Sequence, residues 1–424
     1  MRTMIMAAVL ICSSAVQAAQ RTPVKILKKA EKAIVEGINY SLDAKNNKAK
    51  VIAGKNLYTG NLVIPEKFTE DSVTYYVEEI DGGAFKDCPT LTSVTIPSTV
   101  TKIGSSAFED CTGIVSISIP ETIPELPSGL FAGCTSLKNV ELHDGIKSIG
   151  HGAFKECTAL ERIDIPGSVT SLAYNVFQGC TSLKEVNLPR ALEKIGYSAF
   201  QDCSALETIE IPNGVKSIGW VAFKNCISLK SFRFTTSMDN IANSIFEGCS
   251  SLAEVEIPTS IKSIAHDAFK GCTSLDSIAI PNSVKSMGSS VFEDCSNLRA
   301  VNIPVGLKSI PSDCFKNCGS ISRITIPTSV KEIGNEAFSG CVTLDKVEIP
   351  NSVKEIGGDA FDDCSSLMTV TMRSGTPPKI KKDSFPKSFI KDGTLYVPNL
   401  IPYQSDPKSA WAQFRYIKLI PPQY

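Results

Sequence analysis

The sequence predicts a repeat solenoid of α/β type, short coils stacked along one axis with a parallel β-sheet running down the stack. Three observations carry this. Thirteen cysteines fall on one arithmetic series with a step of 23, from Cys88 to Cys364, without insertion or deletion. A phenylalanine stands three residues before each, from Phe85 to Phe361. Most units carry a short alternating segment closed by proline, as in Ile117-Ser118-Ile119-Pro120. A fixed period of about 20–50 residues marks stacked repeats. It overrides the two or three domains that 424 residues would otherwise suggest.

Residues 1–19 combine a basic Arg2, an apolar run Met4–Ile11 and small residues ending Val16-Gln17-Ala18. That is the layout of a secretory signal peptide, and the run is too short to span a bilayer. Cys12 follows a bulky Ile11, which suits a lipid-attachment site poorly. Residues 20–76 break the period, because Ile64-Pro65 and Ile96-Pro97 are 32 apart. They are expected to form an N-terminal β cap, since an open solenoid exposes core and strand edges at its ends.

Residues 77–385 hold the regular units. In Ile117-Ser118-Ile119 the alternation is that of a strand with one face buried. Pro120 ends its ladder bonding. Most units then place glycine about eight residues after the Ile that precedes Pro, as at Gly150 and Gly219, where a sharp corner is expected. The stretch His151–Cys157 is too short for more than one or two turns of helix. Each unit is thus one coil: strand, corner, second short extended piece, corner, turn. No single coil buries its apolar side alone. At ~4.8 Å per parallel strand, thirteen coils make a rod on the order of 60 Å long. The last unit slips by one, to Phe385, and residues 386–424 are expected to close the stack as a C-terminal cap.

The pattern L-x-x-V-x-I-P-x-x-V-x-x-I-G-x-x-A-F-x-x-C resembles the BspA-like class of leucine-rich repeats. One copy runs from Leu160 through Ile163, Ile165 and Pro166 to Val169. Another runs from Val284 through Met287, Gly288 and Phe292 to Cys295. The ends are similar to the family too: Gly37–Leu42 and Gly60–Pro65 at the start, and Thr376-Pro377-Pro378, Thr394–Pro398 and Trp411–Ile420 at the close. The resemblance implies a right-handed leucine-rich repeat superhelix of thirteen regular 23-residue repeats, with a parallel sheet lining a concave face. It also implies a secreted or cell-surface protein that binds host proteins, other cells or matrix.

Composition narrows the function. The 43 Lys+Arg nearly balance 44 Asp+Glu, which argues against nucleic acid or an anionic membrane held by bulk charge. No later stretch is apolar enough for a membrane helix. There are three histidines and no nucleophile-elbow, P-loop, zincin or C-x-x-C motif, so an enzyme is not expected, nor a cofactor or metal. The cysteine column reads as buried thiols rather than a disulfide zipper, because equivalent side chains in a stack point the same way instead of converging. Cys314 replaces a small core residue such as Ala337.

Variable positions form columns. Two residues after the corner-forming Ile, successive coils read His151, Tyr174, Tyr197, Trp220, Asn243 and His266, flanked by serines. An exposed row of this kind suits a binding stripe, since aromatics carry interface energy and stack on sugars. The alternative is a stabilising ring ladder. A second candidate is the concave sheet, whose outward positions include Glu141, Arg162, Asp164, Glu185, Glu210, Arg233, Glu254 and Glu256. Its bland counterpart is a solvated polar face. A third column, Lys262, Lys285, Lys308, Lys331 and Lys354, could hold a polyanion. The expected function is adhesion to a host or matrix protein or glycan by a monomer. The alternatives are a non-binding scaffold, or a binding component of a polysaccharide-handling system.

Overall fold

The computed structural model describes residues 31–381 and 383–422; the expected signal peptide lies outside the described residues. The chain is a parallel β-solenoid of about 15 turns. In the regular coils its strands pair with an offset of 23 residues, as in Arg162–Asp164 with Glu185–Asn187 and Ser171–Leu172 with Lys194–Ile195. The first of these pairs belongs to the long-strand ladder, which carries the Ile-x-Ile segments. The second belongs to a short-strand ladder on the next side. A third side consists of turns joined coil to coil by backbone bonds, such as Phe154 N–H to the Val176 carbonyl at 3.0 Å. Every side of the coil thus satisfies its backbone through the neighbouring coil, which is why no coil stands alone.

Each coil buries the same residues. Ile163, Val169, Leu172, Val176, Phe177, Cys180 and Leu183 are all buried, and their equivalents recur from coil to coil. The phenylalanines form one continuous stack from Phe85 to Phe385, with successive centroids 5.1–5.8 Å apart. Phe385, one residue off the period, still takes its place in it. Phe232 and Phe234 are core residues, packing edge-on against Phe246 at 4.7 and 5.9 Å. Thr235, standing where other coils have Pro, donates its hydroxyl to the Val215 carbonyl at 2.7 Å.

The corner glycine answers a contact between coils. Gly150 and Gly219 do not take the left-handed conformation. Instead, a Cβ on Gly150 would lie 2.5 Å from Ser128 N, so glycine is there to let one coil's backbone approach the previous one. The left-handed turn comes two residues later, at Gly152 (φ +58°), Asn175 (+58°) and Ser198 (+52°). A second left-handed position precedes each cysteine and is filled by Asp, Asn, Gly or Glu, as at Asp202, Asn225, Gly248 and Glu156.

At the N-terminal end, β1 (Lys32–Val35), β2 (Ile38–Asp43) and β3 (Lys48–Ile52) form an antiparallel meander. β4 (Gly60–Val63) starts the long-strand ladder by pairing in parallel with Leu91–Thr95. β5 (Lys67–Glu70) and β6 (Val73–Ile80) form a hairpin, and β6 also pairs with β3 and with Lys102–Ile103. Both ladders are therefore extended into this segment. At the other end, Thr394–Val397 and Tyr416–Leu419 continue the long-strand ladder. The helix Lys387–Asp392 and the ring cluster Phe385, Phe389, Trp411 and Phe414 cover the last coil. Two buried polar side chains there are paired: Trp411 Nε1 donates to the Pro378 carbonyl at 2.9 Å, and Tyr403 Oη to that of Ser374 at 2.8 Å.

All fourteen described cysteines are free and buried. From Cys111 to Cys364, each cysteine of the regular column donates its thiol to a phenylalanine carbonyl 26 residues earlier, at 2.9–3.3 Å. The thiols point back at backbone oxygen, not at each other, which is the geometry of a small hydrophobe with a weak donor.

Candidate functional site

The stripe lies at the corner after the short strand. Left-handed backbone one residue beyond each stripe position turns its side chain outward. The carbonyls of Tyr197 and Trp220 accept from Asn175 and Ser198 of the preceding coils, at 2.9 and 3.1 Å, so the backbone is pinned while the rings are not. Tyr174, Tyr197 and Trp220 are 40, 42 and 55% exposed. His151 and His266 are exposed and Asn243 is half-buried.

The six residues divide by chemistry. His151 Nδ1 accepts from Tyr174 N–H at 3.2 Å, Asn243 Oδ1 from His266 N–H at 3.2 Å, and His266 Nδ1 from Ser289 N–H at 2.9 Å. These three side chains cap the backbone of the next coil. Tyr and Trp rings offer no such acceptor, and they stack instead. His151–Tyr174, Tyr174–Tyr197 and Tyr197–Trp220 have centroids 4.8, 4.9 and 5.4 Å apart. The sequence left open an exposed stripe or a ring ladder, and the geometry contains both features. Tyr174 and Tyr197 each have a ring on both sides, the His151 ring tilted at 36°, whereas Trp220 has a ring on its Tyr197 side alone and is the most exposed of the three. Flat stacking on a sugar ring finds no free face on Tyr174 or Tyr197, and their edges suit a protein surface better.

The eight long-strand candidates are all exposed, on a different face from the stripe. They partly neutralise one another. Arg162 bridges Asp164 at 3.2 Å and Glu185 at 2.9 Å, and Arg233 bridges Glu256 at 3.0 Å. Asp164 also accepts from the Asn187 amide, and this bond, first, with Arg162 second, holds its carboxyl below the usual range. Among the described residues, Glu141, Glu210 and Glu254 enter no ion pair. The five lysines Lys262, Lys285, Lys308, Lys331 and Lys354 are exposed and likewise enter none, whereas Lys184, Lys216 and Lys230 each bridge a glutamate one coil earlier.

The long-strand face also holds a feature the candidate set stops short of. A depression of about 1080 Å³ opens over coils 253–327. Its floor is Ser277, Ala279 and Ala300, and its far side carries Arg299 and Arg323. Among the described residues no group of three or more His, Cys, Asp or Glu could hold a metal ion, and no helix is long and apolar enough to cross a membrane.

The family model described as a BspA type leucine rich repeat region (6 copies) matches residues 78–207, 193–322 and 308–399. No curated protein matches the chain. Among solved structures, a leucine-rich repeat protein from Bacteroides ovatus is 29% identical with a TM-score of 0.81, covering 92% of this chain and 100% of that one. A leucine rich cell surface protein from Faecalibacterium prausnitzii is 28% identical with a TM-score of 0.57, covering 81% of this chain and 95% of that one.

Proposed function

The chain belongs to the BspA-type leucine-rich repeat family, and on that premise we propose that it is a secreted or cell-surface binding module that adheres to a host or matrix protein through the Tyr174–Tyr197–Trp220 edge row. Residues 1–19 would act as the removed leader, 20–76 and 386–424 as the caps, and 77–385 as the presenting solenoid. The cell-surface relative from Faecalibacterium prausnitzii supports the location.

The observation that carries the reading is the exposure of three large rings at neighbouring coils. Among the described residues, no other Tyr or Trp of the regular coils is exposed; Tyr76 and Tyr416 lie toward the ends. Mutual stacking already restricts these rings, so docking on them costs little further side-chain entropy, and Tyr and Trp are the residues that dominate interface energetics. His151, Asn243 and His266 frame the row while holding its backbone in place. Nothing in this mechanism requires bond making or breaking.

The test is retention of the mature chain on an array of purified matrix proteins and glycans, against the Tyr197→Ser/Trp220→Ser double variant. The expected result is a retained protein that the variant loses, with an unchanged thermal midpoint. Equal retention by the variant removes the row as the anchor. Retention on glycans alone overturns the preference for protein, and no retention at all favours the non-binding scaffold.

A further inference from the structure

On the long-strand face, every coil presents two outward side chains per strand. Along one outward column the residues read Glu254, Ser277, Ala300, Arg323. The neighbouring column reads Glu256, Ala279, Asn302. Two consecutive coils thus lose their side-chain walls, and the depression over them, about 1080 Å³, is roomier than those of about 820 and 780 Å³ that the same face forms over the Glu185–Gly214 and Thr208–Glu256 coils. Asn302, the one larger side chain in this gap, turns onto the sheet. Its Oδ1 accepts from Ile280 N–H at 2.9 Å and its Nδ2 donates to the Ile280 carbonyl at 2.7 Å. It fills in backbone bonding instead of filling the space.

The charges at the ends of this gap are unusual for the face. Arg162, Arg233 and Arg373 are each bridged to a glutamate of the adjoining coil, Arg373 with two contacts to Glu348 at 2.7 and 2.8 Å. Arg299 and Arg323 have no such partner among the described residues, although both are exposed and line the depression. The next residue in the Arg323 column is Lys346, also outside any ion pair. Glu254 lies three coils away, ~14 Å at the parallel-strand spacing, too far to neutralise Arg323. Asp276 is one coil from Arg299 yet forms no bridge with it. The groove is therefore polarised along the solenoid axis, acidic at Glu254 and Asp276 and basic at Arg299 and Arg323.

We propose that this depression is a docking groove for an extended peptide segment whose acidic side chains are held by Arg299 and Arg323 and whose basic end lies toward Glu254. Guanidinium forks match carboxylates in two-point contacts and are weakly hydrated, so an unpaired pair facing a groove is suited to that group. The small floor admits a peptide backbone close to the sheet, and the axial charge gradient fixes which way the segment lies. The site is separate from the aromatic row and does not depend on it.

Fluorescence anisotropy with the intact mature chain tests this. The probe is a short capped, labelled peptide with two glutamates at one end, one lysine at the other, and glycine and serine between. The control replaces the glutamates with glutamine. The glutamate peptide is expected to bind, and the glutamine peptide about tenfold or more weaker. Arg299→Ala/Arg323→Ala should lose about tenfold, and the Lys/Lys version should recover part of it. Ala300→Phe, which keeps both charges and fills the floor, should also weaken binding. Tyr197→Ser/Trp220→Ser should leave it unchanged, which separates this outcome from that of the aromatic row. All variants are at exposed positions, and circular dichroism checks that they fold. No binding of the glutamate peptide, equal binding of the glutamine peptide, or undiminished binding by the double alanine variant overturns the proposal.

Discussion

The Cys203 thiol donates to the Phe177 carbonyl of the coil before it at 3.1 Å, and the same bond recurs along the column. It gives the cysteine a task that neither a disulfide nor a metal requires. Cystine would need each sulfur to swing off its carbonyl and toward a neighbour that points the same way. Denatured, unreduced protein is expected to show all fourteen described cysteines reactive with a thiol reagent, and native protein almost none. Fewer than half reactive after denaturation would mean that cross-links dominate. Cys203→Ala removes both the buried sulfur and its bond, and should cost about 1–3 kcal/mol in chemical denaturation.

The same burial makes stability depend on alkaline pH. Desolvation pushes the Cys111 and Cys180 thiols up to about 12, and raises the others of the column in the same direction. In the unfolded chain a thiol ionises near pH 8.5. The native state thus holds more protons than the unfolded state above that pH. Stability is full below about pH 8.5 and falls as pH rises toward 12, by up to about 1.4 kcal/mol per thiol per pH unit. Under reducing conditions the denaturation midpoint should drop steeply from pH 9 upward. A flat profile to pH 11 would contradict the burial of the column.

Glycines at two positions should behave oppositely on substitution. A Cβ at Gly150 meets Ser128 N at 2.5 Å and the Pro127 carbonyl carbon at 2.7 Å, both backbone. Gly150→Ala must push two coils apart and should cost about 1–3 kcal/mol. At Gly167 nothing lies within 4 Å, and Gly167→Ala should change stability by no more than about 0.5 kcal/mol. Equal midpoints for the two variants would show that coil spacing does not rest on Gly150.

Most of the fold could be read from the sequence because a repeat writes its core many times. Phe200 alone could be any buried ring, but fourteen rings from Phe85 to Phe385 at a near-constant step define a stack. The corners were less legible. Gly150 suggested a sharp corner, yet the constraint it answers is contact with a coil 23 residues away, which no local rule reports. The Asp, Asn, Gly and Glu residues before each cysteine carried the turn signal instead. The site was half legible. The period located the Tyr174–Trp220 column, but not that His151, Asn243 and His266 bond the next coil's backbone, because that depends on side-chain direction. The depression is written in the sequence only as Ser277, Ala279 and Ala300 in two outward columns, small residues that carry no chemistry of their own.

Val221 joins the strain in the fold to the proposed row. It follows Trp220 directly and holds φ at +50°, where other coils place Gly152, Asn175 or Ser244. A β-branched residue is poorly suited to this region, at about 1–2 kcal/mol. Its N–H nonetheless donates to the Asn243 carbonyl at 3.0 Å, so the surrounding coils impose the conformation. Val221→Asn relieves the strain without removing that bond. It should raise stability by about 1 kcal/mol, seen as a higher thermal midpoint. A lower midpoint would mean that packing of the half-buried Val221 side chain outweighs the backbone cost. If Trp220 is an anchor held in place by this corner, the variant should keep ligand retention on the array while gaining stability. Loss of retention with a raised midpoint would instead assign the strained corner itself to the orientation of the indole.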